Sequence, residues 1–146
     1  MAVFRNRMEN IIMTTPENIA MLLEKEKTEP IAGFLGIKLE ELTEGYARVT
    51  MKMRPEYVNF NDMVFGGIVM AIADQAFAYA TNSKLSPNLA IQFNIHLISA
   101  VAAEDELTAE CHVVKSGRRV SVSEMTVTNQ DDRLIARATG TTIFNG

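Results

Sequence analysis

The chain of 146 residues carries 14 basic and 18 acidic side chains, a net charge of −4, with 47% hydrophobic residues. That is one domain's worth of ordinary soluble sequence, enough for a single core. The acidic balance excludes a general nucleic-acid binder, which carries a basic field, and the single cysteine, Cys111, excludes an internal disulfide and fits a reducing, cytoplasmic setting.

Residues 1–15 contain Arg5, Arg7 and Glu9 and no continuous apolar run ahead of a small-residue cleavage site, so no secretory leader is read there. Thr15-Pro16-Glu17 predicts a helix start, with a hydroxyl cap, proline in the first helical position and an acid near the positive dipole end. Ile19, Leu22 and Leu23 give that helix one apolar stripe, and Glu24–Glu29 is a solvated charge run that Pro30 closes. Segment 1–32 therefore reads as an extension and packing helix, and 33–146 as one domain.

Two strands follow, one through Ile37–Leu42 and one through Tyr46–Met53, joined by the Thr43-Glu44-Gly45 turn. In the second, Val49, Met51 and Met53 alternate with Arg48, Thr50 and Lys52. Past the central apolar segment, Ile91, Phe93, Ile95 and Leu97 alternate with Gln92, Asn94 and His96; Leu107, Ala109, Cys111 and Val113 do the same against Thr108, Glu110 and His112. Val120–Thr128 and Leu134–Phe144 complete the set around a turn at Asn129–Asp132.

From Gly67 to Ala80 the sequence is apolar on almost every face of a helix, so the helix must be covered nearly all round. An antiparallel sheet of about five or six strands wrapped around one long central helix meets that need, an α+β architecture known as the hot-dog fold. Met63–Ser83 holds one charge, Asp74; the glycine pair, Gln75, Asn82 and the carboxylate itself speak against a membrane span.

Asp74 is the candidate for chemistry. A carboxylate in apolar surroundings loses hydration, so it needs either a partner, such as a cation or backbone donor of another strand or subunit, or a task as general base or nucleophile. Gly66-Gly67 opens the same helix, where unpaired N–H groups can stabilise an oxyanion. Gly67 and Asp74 are about 10 Å apart along a helix axis, too far to hold one carbonyl. Two such helices running antiparallel across a two-fold axis would bring Gly67 of one subunit to Asp74 of the other, making an oligomer with two equivalent sites.

Lys115, Arg118 and Arg119 flank Gly117 in a hairpin turn and form the densest basic spot, fit for phosphates or simply for solvent. His96 and His112 show no metal-ligand spacing, so no metal site is expected. The phosphate-loop, dinucleotide-binding and Gly-x-Ser-x-Gly patterns do not occur.

The run Asn59-Phe60-Asn61-Asp62-Met63-Val64-Phe65-Gly66-Gly67, followed by Ala73-Asp74-Gln75-Ala76-Phe77-Ala78-Tyr79-Ala80-Thr81-Asn82-Ser83, resembles the hot-dog acyl-CoA thioesterases, in particular the phenylacetate-degradation branch. Leu35-Gly36-Ile37, Gly45-Tyr46-Ala47, Gly117-Arg118 and Ala136-Arg137-Ala138-Thr139-Gly140 fit the same pattern. The resemblance implies that Asp74 activates water or attacks the thioester carbon, that the Gly67 N–H polarises the carbonyl, and that Asn59 orders the site. It further implies an acyl pocket at Met63, Phe65, Gly66 and Phe77. Coenzyme A, as part of the substrate, would be contacted by Asn82-Ser83-Lys84 and the Gly117-Arg118-Arg119 turn. It implies a homodimer or dimer of dimers, with acyl-CoA the only partner besides itself, neither nucleic acid nor membrane. No cofactor is called for, since thioester hydrolysis needs water, a base and an oxyanion donor.

Two positions depart from the family pattern Asn-x-x-Gly-x-x-His-Gly-Gly. Phe65 replaces the histidine and can neither donate nor accept a hydrogen bond. Asp62 replaces the glycine, adding charge beside the acyl pocket and calling for a backbone geometry other than glycine's. Phe65 also favours a second reading, a protein that binds acyl-CoA without turning it over.

Overall fold

The structure, a computed structural model, describes residues 14–146. Arg5, Arg7 and Glu9, on which the reading of the leader rests, lie outside the described residues. The elements are α1 (Thr15–Glu26), α2 (Pro30–Leu35), β1 (Ile37–Thr43), β2 (Tyr46–Lys52), a 3-10 turn (Pro55–Tyr57), α3 (Gly66–Lys84), β3 (Asn88–Leu97), β4 (Glu106–Ser116), β5 (Val120–Thr128) and β6 (Leu134–Phe144). The strands form one antiparallel sheet in the order β1-β2-β4-β5-β6-β3, curled around α3 as the periodicity predicts.

Alternation fixes the inner face. Ala47, Val49 and Met51 of β2, Leu107, Ala109 and Cys111 of β4, and Met125 and Val127 of β5 are buried against Ile72, Ala73, Ala76, Phe77 and Ala80 of α3. Burial pushes the Cys111 thiol up to about 12, which makes it an inert core side chain. Small residues on α3 let the sheet approach, and one place in the sheet answers with a gap of its own. A Cβ at Gly140 would lie 2.5 Å from the Phe77 ring, so β6 has no side chain where the largest fully buried side chain of the helix seats.

The N-terminal region differs from expectation in two details. The cap of α1 is Thr14, whose N–H and hydroxyl both donate to the Glu17 carboxylate at 2.6 and 2.8 Å, and Thr15 is already helical. Pro30 does more than close the charge run, because it is the first residue of α2, which Gly36 ends at φ 72°. Asn18 of α1 is buried and donates to the Lys84 carbonyl at 3.3 Å, tying the packing helix to the end of α3.

Candidate active site

The approach to α3 is built by one asparagine. The Asn59 side-chain oxygen accepts the N–H groups of Asn61 (2.9 Å) and Met63 (3.3 Å), while its own N–H donates to the Met63 carbonyl at 2.7 Å. Asn59 thus orders the loop that delivers Phe65 and the glycines, and its side-chain oxygen is spent within that loop. Inside the loop Asp62 has φ 56°, the left-handed conformation that glycine adopts most readily. The expectation of a different backbone geometry at Asp62 is therefore corrected. Aspartate is among the residues that tolerate this region, and the exposed side chain points the charge to water rather than into the core.

The glycine pair is shaped by its neighbours. A Cβ on Gly66 would meet a Leu97 methyl at 2.8 Å, and one on Gly67 would meet the Phe65 ring at 2.3 Å. Phe65, 57% exposed, thus lies over the Gly67 Cα where the family pattern has a histidine. The Ile68 N–H already donates to the Phe65 carbonyl at 2.9 Å, whereas the N–H groups of Gly66 and Gly67 have no hydrogen bond to any described residue and can face an oxyanion.

On the single chain α3 is not covered all round, which corrects the sequence expectation. Met70, Asp74 and Ala78 are exposed and Gly67, Ala71, Gln75 and Asn82 are half-buried, so one stripe at helical spacing is open. The sheet and α1 cover the rest. Asp74 is the only charged residue on that stripe between Gly66 and Asn82. Burial of part of its side chain raises its pKa above the usual aspartate value, and no cation lies within ion-pair distance of it among the described residues. The reading of Asp74 as one half of a structural ion pair thus finds no partner within the described part of the chain.

The other predicted residues divide. Met63 is 47% exposed and, with Gly66, borders a cleft of about 270 Å³ at the start of α3. Phe77 is corrected from pocket to core: it is 1% exposed, its ring tilted at 55° against that of Phe93 with centroids 5.9 Å apart, and it is seated over Gly140. Ser83 is corrected as a coenzyme A contact. It is fully buried, its hydroxyl donating to Ala80 and accepting the Gly45 N–H at 2.9 Å. Asn82 holds the end of α3, accepting from the Asn88 N–H and the Ser86 hydroxyl. Lys84 pairs with Glu44 at 3.2 Å. Gly117, Arg118 and Arg119 form the exposed β4–β5 turn at the same end of the molecule, since Phe144 donates to Arg119 and Asn145 to Pro87. Gly67 lies toward the opposite end of α3.

Sequence reasoning missed the far wall of the cleft, Leu97, Ile98 and Val101, together with Val69 of α3. Leu97 and Ile98 are 55% and 51% exposed, and only the folded chain brings them to the cleft beside Gly66, where a Cβ would meet the Leu97 methyl at 2.8 Å. Their signal in the sequence was Ile98, an apolar residue directly after Leu97 that breaks the alternation at the end of β3. Among the described residues no group of three or more His, Cys, Asp or Glu side chains is placed to hold a metal ion, and no helix is long and apolar enough to cross a membrane.

Comparison with known proteins brings these features together. The model of the thioesterase superfamily matches residues 61–136, a span that begins in the Asn59 loop and contains all of α3. Acyl-coenzyme A thioesterase PaaI of Escherichia coli (strain K12) is 32% identical over 110 residues, 75% of this chain and 79% of that protein. Among solved structures, the E. coli PaaI protein from the phenylacetic acid degradation operon superposes with a TM-score of 0.86 at 28% identity, covering 92% of this chain and 97% of that one. A hypothetical thioesterase protein with coenzyme A from Streptococcus pneumoniae TIGR4 superposes with a TM-score of 0.78 at 25% identity, covering 85% and 97%.

Proposed function

We propose that this chain, which belongs to the thioesterase superfamily, hydrolyses acyl-coenzyme A to the free acid and coenzyme A at two equivalent sites of a homodimer. Thioester hydrolysis is the family's reaction; the coenzyme A substrate, the residue roles and the paired assembly are our reading. The observation that carries it is the open stripe of α3, which presents a single carboxylate, Asp74, in line with Gly67. Within one helix the two are about 10 Å apart, so one carbonyl cannot use both. An antiparallel pairing of two α3 stripes sets the Gly67 N–H of the partner subunit opposite Asp74 and covers the apolar part of the stripe. The second open edge of the sheet supports the same assembly. On β3, Ile91, at a break in the register between Ala90 and Gln92, is 59% exposed and Leu97 55%, and one backbone edge of the strand is unpaired.

In that site Asp74 takes a proton from water as the water oxygen attacks the thioester carbon, or attacks the carbon itself and is freed by water in a second step. Either way the carbonyl oxygen becomes an oxyanion that the partner's Gly67 N–H stabilises, and its collapse breaks the C–S bond and expels the thiolate, which takes a proton from the protonated Asp74 in the first route and from water in the second. Met63 and Phe65, with the cleft beside Gly66, supply apolar contact for the acyl group. The basic turn at Arg118-Arg119 supports phosphate binding. The free, buried Cys111 suits the cytoplasm. Thiol release measured across a panel of aryl and alkyl coenzyme A esters tests the reading; no release from any ester would overturn it.

The rate should depend on pH through Asp74. Both routes need the carboxylate ionised, and burial raises its pKa, so kcat/KM is expected to climb with pH through that raised value and level off above it. A limb at the ordinary aspartate value, or none, would contradict the assignment.

Phe65 supports a second reading, binding without turnover, because its ring lies over the Gly67 Cα where a polar group would assist the carbonyl. Phe65→His is expected to raise turnover by about 10-fold, one added hydrogen bond to the reacting group. A fall in kcat would show that the site is built around the phenyl ring.

A further inference from the structure

The joint between α1 and α2 places Glu29 beside α3. Its Oε2 accepts the Tyr79 hydroxyl at 2.6 Å and the Gln75 amide at 2.8 Å. Its Oε1 has no hydrogen bond to any described residue, and Glu29 lines a groove of about 380 Å³ between that joint and α3. The groove starts close to the reacting carboxylate: Ala78, in its wall, is one helical turn past Asp74 on the open stripe, about 6 Å along the axis. It runs to Asn82, and beyond that lie Lys84 and, at the same end of the sheet, the basic turn at Arg118-Arg119. From Asp74 to Lys84 is about 15 Å of helix.

A ligand whose thioester sits at Asp74 and whose phosphates sit at the basic turn must lay the segment between them along this stretch of α3. In coenzyme A that segment is the extended pantetheine arm, which is uncharged, carries amide N–H and hydroxyl donors, and has a gem-dimethyl group. The groove offers the complement, with Leu22, Pro30 and Ala78 for the methyl groups and a carboxylate oxygen lacking a donor. Hydrogen bonds to an ionised acceptor are the stronger kind.

We propose that this groove is the pantetheine subsite, with Glu29 Oε1 accepting a donor from the arm. The proposal rests on the acyl-CoA reading above. A hydroxyl on the acyl group would present the same donor from the other side of the thioester, and the experiment separates the two sources.

Glu29→Gln is nearly isosteric. Its amide oxygen still accepts from Tyr79 and Gln75, but the groove-lining acceptor becomes an N–H₂ donor. Calorimetric titration with coenzyme A is expected to show binding weakened about 10-fold, with a cooperative thermal transition retained. KM for an acyl-CoA is expected to rise by the same factor at constant kcat. KM for the same acyl group on ethanethiol, which lacks every amide, should not move. If the loss instead follows hydroxylation of the acyl group on both carriers, the donor comes from the acyl side and the proposal falls. Unchanged Kd and KM for coenzyme A compounds also overturn it, even with the wild-type protein fully active. A wild-type protein that binds coenzyme A but hydrolyses none of its esters would defeat the proposed activity, while the Kd comparison would still decide the groove.

Discussion

Asp74→Asn is expected to lower kcat for thioester hydrolysis by about 10²–10⁴-fold, the range for removal of a general base, with the fold intact. The amide keeps the shape of the side chain and removes only its ability to take a proton or to attack. No loss of stability is expected, because of the sign of the linkage. Burial raises the folded-state pKa of Asp74, so its contribution to stability is present at low pH, where it is protonated, and is lost as pH rises through the raised value. Above that raised value the ionised carboxylate works against folding, and a neutral isostere relieves that. Steady-state kinetics and thermal melts of the two proteins side by side check both halves. Unaltered turnover, or a collapse of the melt, would remove Asp74 from the chemistry.

Ile91→Lys is expected to abolish association and turnover together. Ile91 is 59% exposed on the edge strand, so the isolated chain tolerates the charge, whereas a seam between two copies must bury it. Light scattering should report monomers, and activity should disappear although neither Asp74 nor Gly67 has changed. Full activity in a monomer would show that each chain holds a complete site. Mixing supplies a stricter test. Chains with Asp74→Asn, mixed with chains in which Gly67→Val crowds the Phe65 ring, should regain turnover by forming a hybrid that keeps one unaltered pair.

The strands, their order in the chain and the inward positions were legible because each has a period of two, and α3 because its apolar run is too long for a strand. The loss of legibility begins where one chain stops being the whole context. An all-round apolar helix implies cover on every side without naming its source, and the sequence cannot say that the sheet and α1 supply that cover and leave the stripe of Met70, Asp74 and Ala78 open. The same blindness misplaced Phe77. Next to a candidate catalytic residue, an aromatic side chain can line a pocket or fill the core, and only Gly140, a distant residue on β6, decides between them. Ser83 looked available as a polar residue at a helix end, yet Gly45 on the β1–β2 turn takes its hydroxyl. Asp62 was misjudged from residue type, since aspartate reaches the left-handed region at modest cost. Glu29 sat inside a charge run that reads as solvated, and its two donors are far off in sequence.

The empty position at Gly140 acts as a keyway. Because Phe77 drops into it, α3 cannot roll about its long axis without driving an aromatic ring into backbone. The compass bearing of Asp74 is therefore dictated from β6, three residues of helix and one sheet layer away from the carboxylate itself. A methyl group added at that slot would turn the helix as a key turns a lock, and both halves of the seam would lose their alignment at once.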